Sequence, residues 1–384
     1  NGNLQPYPKK GTFVLRKTDA PRFVKVIIPE GVEGKTLDVT NLEIAYRLLG
    51  TDNVNYREVA RRYNPDESMS PYPTFERADQ LTESFPFVKY DMQSKTFIVP
   101  AGDWQVKQDL IIPIESRLKV EPGATMRFAK DAVLLSYSPV EMRGTKEKPI
   151  RLLAQGKTWP GFITMQVKDE TSTLDYVQVK DAAEVARPGW YVSGGVSFIE
   201  SDVTITNSSF ANSHGEDMMN IVRSSFVMTD CSFSGSYADA LDIDFGEGTV
   251  ERVAFSNVGN DAIDLSGSRV TAVANTVNRA GDKGISVGEQ TVLKSRNNKI
   301  RSANIGIASK DGSQVFLEGG SVRESNIGIA VFGKKSEYEA ARFDAMDLVI
   351  SAKTPYLLEK NGVLFLNGDK ITANSKDLRE QLYP

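Results

Sequence analysis

The sequence predicts a mainly β protein: a right-handed parallel β-helix wound in coils of about 22 residues, with a small N-terminal α/β cap and a short C-terminal helix. Three observations predict this fold. Short strand-like runs follow one another from residue 95 onward, turn residues separate them, and one pattern recurs six times at constant spacing. We expect a cap or N-terminal domain at residues 1–88 and the β-helix with its capping helix at residues 89–384.

The first 88 residues lack the repeat and carry mixed signals. Phe13–Leu15 and Phe23–Ile28 are rich in β-branched or aromatic residues, which predicts strands. Apolar residues recur at helical spacing in Asn41–Leu49 and Asn55–Tyr63, and Thr74–Glu83 favours a third helix. This mixture predicts the α/β cap.

Six rows of the repeat align without a gap, and their first residues are 22 apart. Apolar and polar residues alternate within each row, which indicates a strand. The apolar positions of successive rows therefore stack into inward columns that form a continuous core. The predicted columns are Met219, Leu241, Ile263, Ile285, Ile307 and Ile329, then Ile221, Ile243, Leu265, Val287, Ser309 and Val331, and from a second strand Phe210, Phe233, Phe255, Val277, Ile300 and Val322. A helical pattern returns only at Asp377–Leu382, which predicts the C-terminal helix.

Composition excludes several classes of function. The chain has 46 Lys and Arg against 50 Asp and Glu, a balance that gives no electrostatic reason to expect a nucleic-acid partner. No run of about 18 apolar residues occurs, so no membrane span is expected. A single cysteine and a single histidine exclude an internal disulfide, a cysteine-based metal cluster and any mechanism that needs two imidazoles.

Residues 22 apart in the repeat become neighbours, because stacked strands lie about 4.8 Å apart. Three outward columns then place polar side chains side by side. The middle column contains Asn220, Asp242, Asp264 and Ser286, the next contains Asp244, Ser266 and Lys310, and the column at the strand entry contains Asp217, Asp239, Asp261 and Lys283.

Asp242 and Asp264 would lie on adjacent strands with Asp244 nearby, where like charges repel. A bound cation, a retained proton or a basic neighbour would offset this repulsion. Such carboxylates suit glycosidase chemistry, a calcium site, or, with a lysine base, proton abstraction next to a sugar carboxylate. The catalytic candidates are Asp242, Asp264, Lys283 and Asp261. The substrate-binding candidates are Asn220, Asp239, Asp244, Ser266, Ser286 and Lys310. The candidate Ca²⁺ ligands are Asp242, Asp244 and Asp264.

Structural alternatives exist for the same residues. The acidic side chains of the entry column could cap backbone groups at turns. Lys283 could be the ion-pair partner of Asp261 or Asp282 rather than a base. Trp159 and Trp190 could offer platforms for sugar rings, or could pack a turn onto the coils.

The coils resemble the right-handed parallel β-helix superfamily, the pectate-lyase-like fold. Four segments carry the likeness: Glu216–Ser224, Asp239–Phe245, Gly259–Ser268 and Gly281–Glu289. More narrowly, they are similar to bacterial β-helix proteins that accompany CotH-type kinase-like proteins and cell-surface polysaccharide genes. The resemblance covers roughly residues 95–345 and implies a periplasmic or extracellular protein.

The resemblance implies a protein that binds and modifies a cell-surface or extracellular polysaccharide through an acidic groove, as a lyase, an epimerase or a glycoside hydrolase. Motifs of better understood relatives are missing: the Gly-His-Gly and Arg-Ile-Lys segments of polygalacturonases and the Asp-Pro-His-Asp motif of alginate epimerases. The alternative is a non-catalytic scaffold or interaction protein in a surface-polysaccharide or kinase-like assembly, with a protein partner.

Overall fold

The computed structural model describes residues 43–47, 54–58, 77–167, 169–187 and 190–382. The chain forms two compact units, Asn1–Pro73 and Thr74–Pro384. The strands predicted at Phe13–Leu15 and Phe23–Ile28 lie outside the described residues.

In the first unit, the described segments are two strands, Glu43–Arg47 and Val54–Glu58, paired antiparallel with Glu43 opposite Glu58. The two helices predicted around these segments are therefore wrong there. Both segments also alternate with period 2, and a run of five residues is too short for its spacing to separate helix from strand.

The second unit is a right-handed β-solenoid of about 12 turns with a spacing of about 22 residues, which confirms the predicted parallel β-helix. Its strands fall on three faces of the coil. Successive coils pair in parallel, and antiparallel pairs occur at the two ends, where Lys89–Asp91 joins Thr96–Val99 and Val363–Leu366 joins Asp369–Lys370.

The first face is a 14-stranded sheet. Its strands are Lys89–Asp91, Thr96–Val99, Arg117–Val120, Val140–Arg143, Ser172–Asp175, Val203–Thr206, Ser225–Thr229, Glu247–Glu251, Arg269–Val273, Val292–Arg296, Gln314–Glu318, Arg342–Met346, Val363–Leu366 and Asp369–Lys370. The second face contains Gly102–Val106, Ala124–Phe128, Ile150–Ala154, Val177–Lys180, Ser209–Ala211, Ser232–Ser236 and Ala254–Val258. The third, here called the site face, contains Leu110–Ile112, Leu134–Ser136, Phe162–Met165, Gly194–Ile199, Asp217–Val222, Asp239–Asp244 and Ile263–Ser266. The second and third faces then merge in the long strands Thr276–Gly288, Lys299–Lys310, Ser321–Phe332 and Val349–Leu358.

The core lies inside the coils and consists of the predicted columns. Every residue of the three columns is buried. In the third, the rings of Phe210 and Phe233 stack at 4.9 Å and those of Phe233 and Phe255 at 5.1 Å. Each coil buries its apolar row against the next one, so the hydrophobic gain is repeated along the solenoid.

Three further elements flank the coils. The helix Ala78–Ser84 packs Leu81 into the solenoid core, and the helix Leu378–Leu382 confirms the predicted C-terminal helix. An antiparallel pair, Val185–Arg187 with Trp190–Val192, is here called the cover hairpin. Among the described residues, no helix has the length and apolar character needed to span a membrane.

Candidate functional site

One outward column runs along the whole site face and is here called the floor column. Its members pair strand by strand in register. In order they are Ile111, Leu135, Ile163, Ser197, Asn220, Asp242, Asp264, Ser286, Ala308, Ala330 and Leu357. The column is apolar at both ends and polar in the middle. Between Leu135 and Leu357, only Asp242 and Asp264 are partly exposed.

Other elements cover the apolar ends of the floor column. Leu135 and Ile163 pack with Val185 and Val192 of the cover hairpin. At the other end Ala308, Ala330 and Leu357 pack with Leu378 of the C-terminal helix. The acidic middle of the site face therefore lies between two raised covers.

The entry column supplies backbone hydrogen bonds between coils. Asp239 Oδ1 accepts the backbone N–H of Asp261 at 2.8 Å, and Asp261 Oδ1 accepts that of Lys283 at 2.8 Å. Asn260 Nδ2 also donates to Asp239 Oδ1 at 2.7 Å. These contacts are the ones that the capping alternative calls for.

Lys283 is buried and ion-paired. Its ammonium lies 3.3 Å from Asp261 Oδ2 and also contacts Asp282 Oδ2. A buried charge is stable only with such partners, so the ammonium and the Asp261 carboxylate hold one another in place. This is the ion-pair alternative considered for Lys283.

Burial and crowding raise the acid pKa values of the site. Burial raises the pKa of Asp242 well above its usual value, and the charges of Asp244, Asp217 and Asp264 add to the effect. Burial likewise raises the pKa of Asp217 to about 7 and that of Asp239 to about 6. The site therefore retains protons at a pH where exposed carboxyl groups have lost them.

Asp261 and Asp244 follow the same trend. Burial raises the pKa of Asp261 to about 7 even though the charge of Lys283 opposes the shift. Burial also raises the pKa of Asp244, and a hydrogen bond from Asn220 partly offsets it. Asn220 Nδ2 donates to Asp242 Oδ2 at 3.0 Å and to Asp244 Oδ2 at 3.3 Å.

The opposite bank of the site contains a carboxylate that stays ionised. Ser266 Oγ donates to Glu289 Oε2 at 2.8 Å, and Lys335 Nζ lies 2.6 Å from Glu289 Oε1. Burial opposes ionisation of Glu289, but these hydrogen bonds outweigh it and lower its pKa. Lys310 is buried beside Gly288, where a Cβ would lie 3.2 Å from Lys310 Cε.

Lys334 is a site residue that the repeat did not predict. Burial lowers its pKa, and the charges of Lys310 and Lys283 lower it further, so its ammonium lies within range of both lysines. Lys334 and Lys335 follow the strand Ser321–Phe332 in an irregular segment. The 22-residue spacing places no residue of that segment, and only the adjacent lysines in the sequence hinted at a basic contribution.

Ser286 carries an unmet hydrogen-bonding group. Its side chain is fully buried, pairs in register with Asp264, and its Oγ has no hydrogen-bond partner among the described residues. A buried hydroxyl without a partner costs free energy, so an added ligand group would improve this site.

The predicted calcium ligands do not form a ready-made metal site. Within the described part of the chain, no group of three or more His, Cys, Asp or Glu side chains is placed to hold a metal ion. Asn220 instead directs its amide N–H groups at Asp242 and Asp244. A cation would have to displace that amide.

The predicted aromatic platforms have different positions. Trp159 is fully buried, stacks on Phe128 at 4.1 Å and donates from Nε1 to the carbonyl of Lys180, so packing accounts for it. Trp190 belongs to the cover hairpin and packs against its apolar cluster.

The fold and the acidic site together describe a parallel β-helix protein. Residues 194–344 match the family model described as a right handed beta helix region. No curated protein sequence matches the chain.

Solved structures with the same fold are carbohydrate-active enzymes. A mannuronic acid specific polysaccharide family 6 lyase from human gut microbiota is 10% identical, with 74% of this chain and 84% of that chain covered and a TM-score of 0.36. A mutant of the periplasmic alginate epimerase AlgG is 12% identical, with 76% and 78% covered and a TM-score of 0.42. A thermostable GH87 alpha-1,3-glucanase from Streptomyces thermodiastaticus is 12% identical, with 74% and 64% covered and a TM-score of 0.41.

Proposed function

We propose that this protein binds a polysaccharide over Asn220, Asp242, Asp264 and Ser286 and cleaves a glycosidic bond by acid–base chemistry. Asp242 is the proton donor in this proposal and Asp264 is the second carboxyl group. The observation that carries it is the register of Asp242 with Asp264, the two partly exposed members of the polar middle of the floor column.

The electrostatics of Asp242 support its role. A general acid must hold its proton until the leaving oxygen takes it, and an exposed aspartic acid has lost its proton well below neutral pH. Burial and the neighbouring carboxylates raise the pKa of Asp242, which keeps it protonated in a range where catalysis is practical.

The spacing of the strands supports the pairing. Residues in register on neighbouring strands lie about 4.8 Å apart. Retaining glycosidases hold their two carboxyl groups about 5–5.5 Å apart, whereas inverting enzymes separate them by about 6.5–9.5 Å. The geometry therefore favours a retaining reaction, with Asp264 as the nucleophile.

The ion pairs of Lys283 favour hydrolysis over a lyase or epimerase reaction. A lysine that abstracts a sugar proton must be neutral and must reach the substrate. Lys283 is buried between Asp261 and Asp282, so in this proposal its charge positions Asp261 rather than removing a proton.

A polysaccharide substrate and the resemblance found in the sequence also lead us to propose a periplasmic or extracellular location. The non-catalytic alternative, a scaffold with a protein partner, becomes an outcome of the same experiment.

The test is an assay of purified protein on a panel of neutral and uronic-acid polysaccharides. Reducing ends report hydrolysis, and the absorbance of unsaturated uronates reports lyase activity. We expect Asp242→Asn and Asp264→Asn each to lower kcat by about 10²–10⁴. Asp230→Asn is the matched control, since Asp230 is exposed and paired with Arg252 on another face.

Turnover unchanged by both substitutions would remove the proposed site. Glycan binding without turnover would favour the scaffold. Unsaturated products would replace the hydrolytic route with the lyase route.

A further inference from the structure

The site face closes the acidic site along the axis of the solenoid. The cover hairpin packs on Leu135 and Ile163 of the floor column, and the C-terminal helix packs on Ala308 and Ala330. Both covers lie on the outer surface of the coils, so they rise above the floor. A long polymer laid along the axis would meet a cover in either direction.

Two aromatic side chains stand at the open sides of the same coil. Tyr237 precedes the strand Asp239–Asp244 and is 76% exposed. Phe245 follows that strand and is 52% exposed. The two rings therefore flank the strand that carries Asp242, one at each end.

The position of Phe245 is costly for the fold. Its φ of 55° is in the left-handed region, which a bulky side chain rarely adopts. Its ring lies over the next coil, where a Cβ on Gly267 would be 2.5 Å from Phe245 Cδ1. Exposed aromatic surface on a strained backbone contributes little to folding, and such positions are often functional.

We propose that the glycan crosses the site parallel to the strand Asp239–Asp244, from Tyr237 to Phe245, and stacks a sugar ring on each. This inference rests on the proposed function and names the direction of the bound chain and two binding residues. The bond to be cleaved then lies over Asp242 and Asp264. A sugar hydroxyl at this point would supply the missing partner of Ser286 Oγ.

The geometry sets the length of the ligand. Eight residues separate Tyr237 from Phe245. At about 3.3 Å per residue they span at most about 26 Å. A chain of several sugars reaches both rings, whereas a disaccharide reaches only one. Affinity should therefore rise with chain length until both rings are engaged.

The test is binding of wild-type protein and variants to an array of neutral, uronic-acid and amino-sugar oligosaccharides of graded length. We expect Tyr237→Ala and Phe245→Ala each to weaken binding of long oligosaccharides by about 3- to 10-fold, as the loss of one stacking contact predicts. Disaccharide binding should lose less in at least one variant. Phe245→Tyr should restore affinity, because it restores the ring.

Phe316→Ala is the matched control, since Phe316 is 40% exposed on the first face, on the strand Gln314–Glu318. It should leave the affinity unchanged. If long oligosaccharides bind and weaken in Asp264→Asn but not in either aromatic variant, the crossing is overturned and the proposed function stands. If wild-type protein binds none of the oligosaccharides, both proposals fail.

Discussion

Asn220 and Asp242 lie in register on adjacent strands, and Asn220 Nδ2 donates a 3.0 Å hydrogen bond to Asp242 Oδ2. The same amide nitrogen donates to Asp244 Oδ2 at 3.3 Å. Because the amide donates to both oxygens, a proton held by Asp242 belongs on Oδ1. Asn220 thus holds two crowded carboxyl groups in place and leaves the proton-bearing oxygen of Asp242 to the site.

Replacing Asn220 with aspartate should destabilise the fold in a pH-dependent way. The substitution keeps the shape but puts a third carboxylate between Asp242 and Asp244. We expect the free energy of unfolding to fall by about 1–3 kcal/mol near pH 8 and by less near pH 4, where the new group is protonated. Urea denaturation at both pH values measures the difference. Asn326→Asp is the control, because Asn326 is exposed, and it should change stability by less than about 0.5 kcal/mol. An equal loss at both pH values would contradict the electrostatic explanation.

The raised acid pKa values predict that stability falls as pH rises. Asp217 and Asp261 have pKa values of about 7 and Asp239 of about 6 in the folded protein, against 3.8 for an ordinary aspartic acid. The folded state then binds more protons than the unfolded state between about pH 4 and pH 7. The contribution of these groups is fully present below that window and is lost as pH rises through it.

Asp242→Asn isolates one part of this slope. Its pKa is raised in the same direction, and asparagine copies the protonated form. We expect the variant to flatten the slope and to be more stable than wild type near pH 8 by about 1–2 kcal/mol. Asp230→Asn should have the opposite sign, because a hydrogen bond from Arg252 lowers the pKa of Asp230. Urea midpoints across the window decide, and a wild-type slope in Asp242→Asn would refute the assignment.

The register of the site was predictable because the repeat is gapless. A constant spacing of 22 residues places Asn220, Asp242, Asp264 and Ser286 side by side, and the structure pairs them in that order. The side-chain period of two then determines which residues face inward, and a slip by one residue would reverse every row. The same arithmetic correctly predicted the buried columns.

The surroundings of the site were not predictable by that arithmetic. Lys334 and Leu378 lie outside the repeat, so spacing says nothing of where they reach. The burial of Lys283 depends on what lies over the strand, and an outward position alone suggests exposure. The exposed ring of Phe245 depends on a left-handed turn conformation that a repeat pattern does not specify.

Calcium binding at Asp242, Asp244 and Asp264 remains a prediction from the sequence. The hydrogen bonds from Asn220 occupy oxygens of two of these groups, and protons compete for the carboxylates, so we expect weak binding that strengthens with pH. At about ten times a Kd in the millimolar range, calcium should add about 1.4 kcal/mol of stability near pH 8. Melting temperatures with Ca²⁺ and with EDTA measure this, and Asp244→Asn should reduce the shift. No shift in wild-type protein would dismiss calcium.

Lys283 and Asp261 should show strong coupling in a double-mutant cycle. Lys283→Met leaves the buried Asp261 carboxylate without its cation, and we expect it to cost about 3–5 kcal/mol of stability. Adding Asp261→Asn removes the stranded charge and should recover a large part of that loss, because the pair and not the lysine alone carries the interaction. Lys335→Met is the matched control: Lys335 is half exposed beside Glu289, so its loss should cost less than about 1 kcal/mol. Denaturant unfolding of the four proteins gives the coupling energy. Additive losses would mean that Lys283 stabilises the coil by packing, and its role as the partner that positions Asp261 would then have to be abandoned.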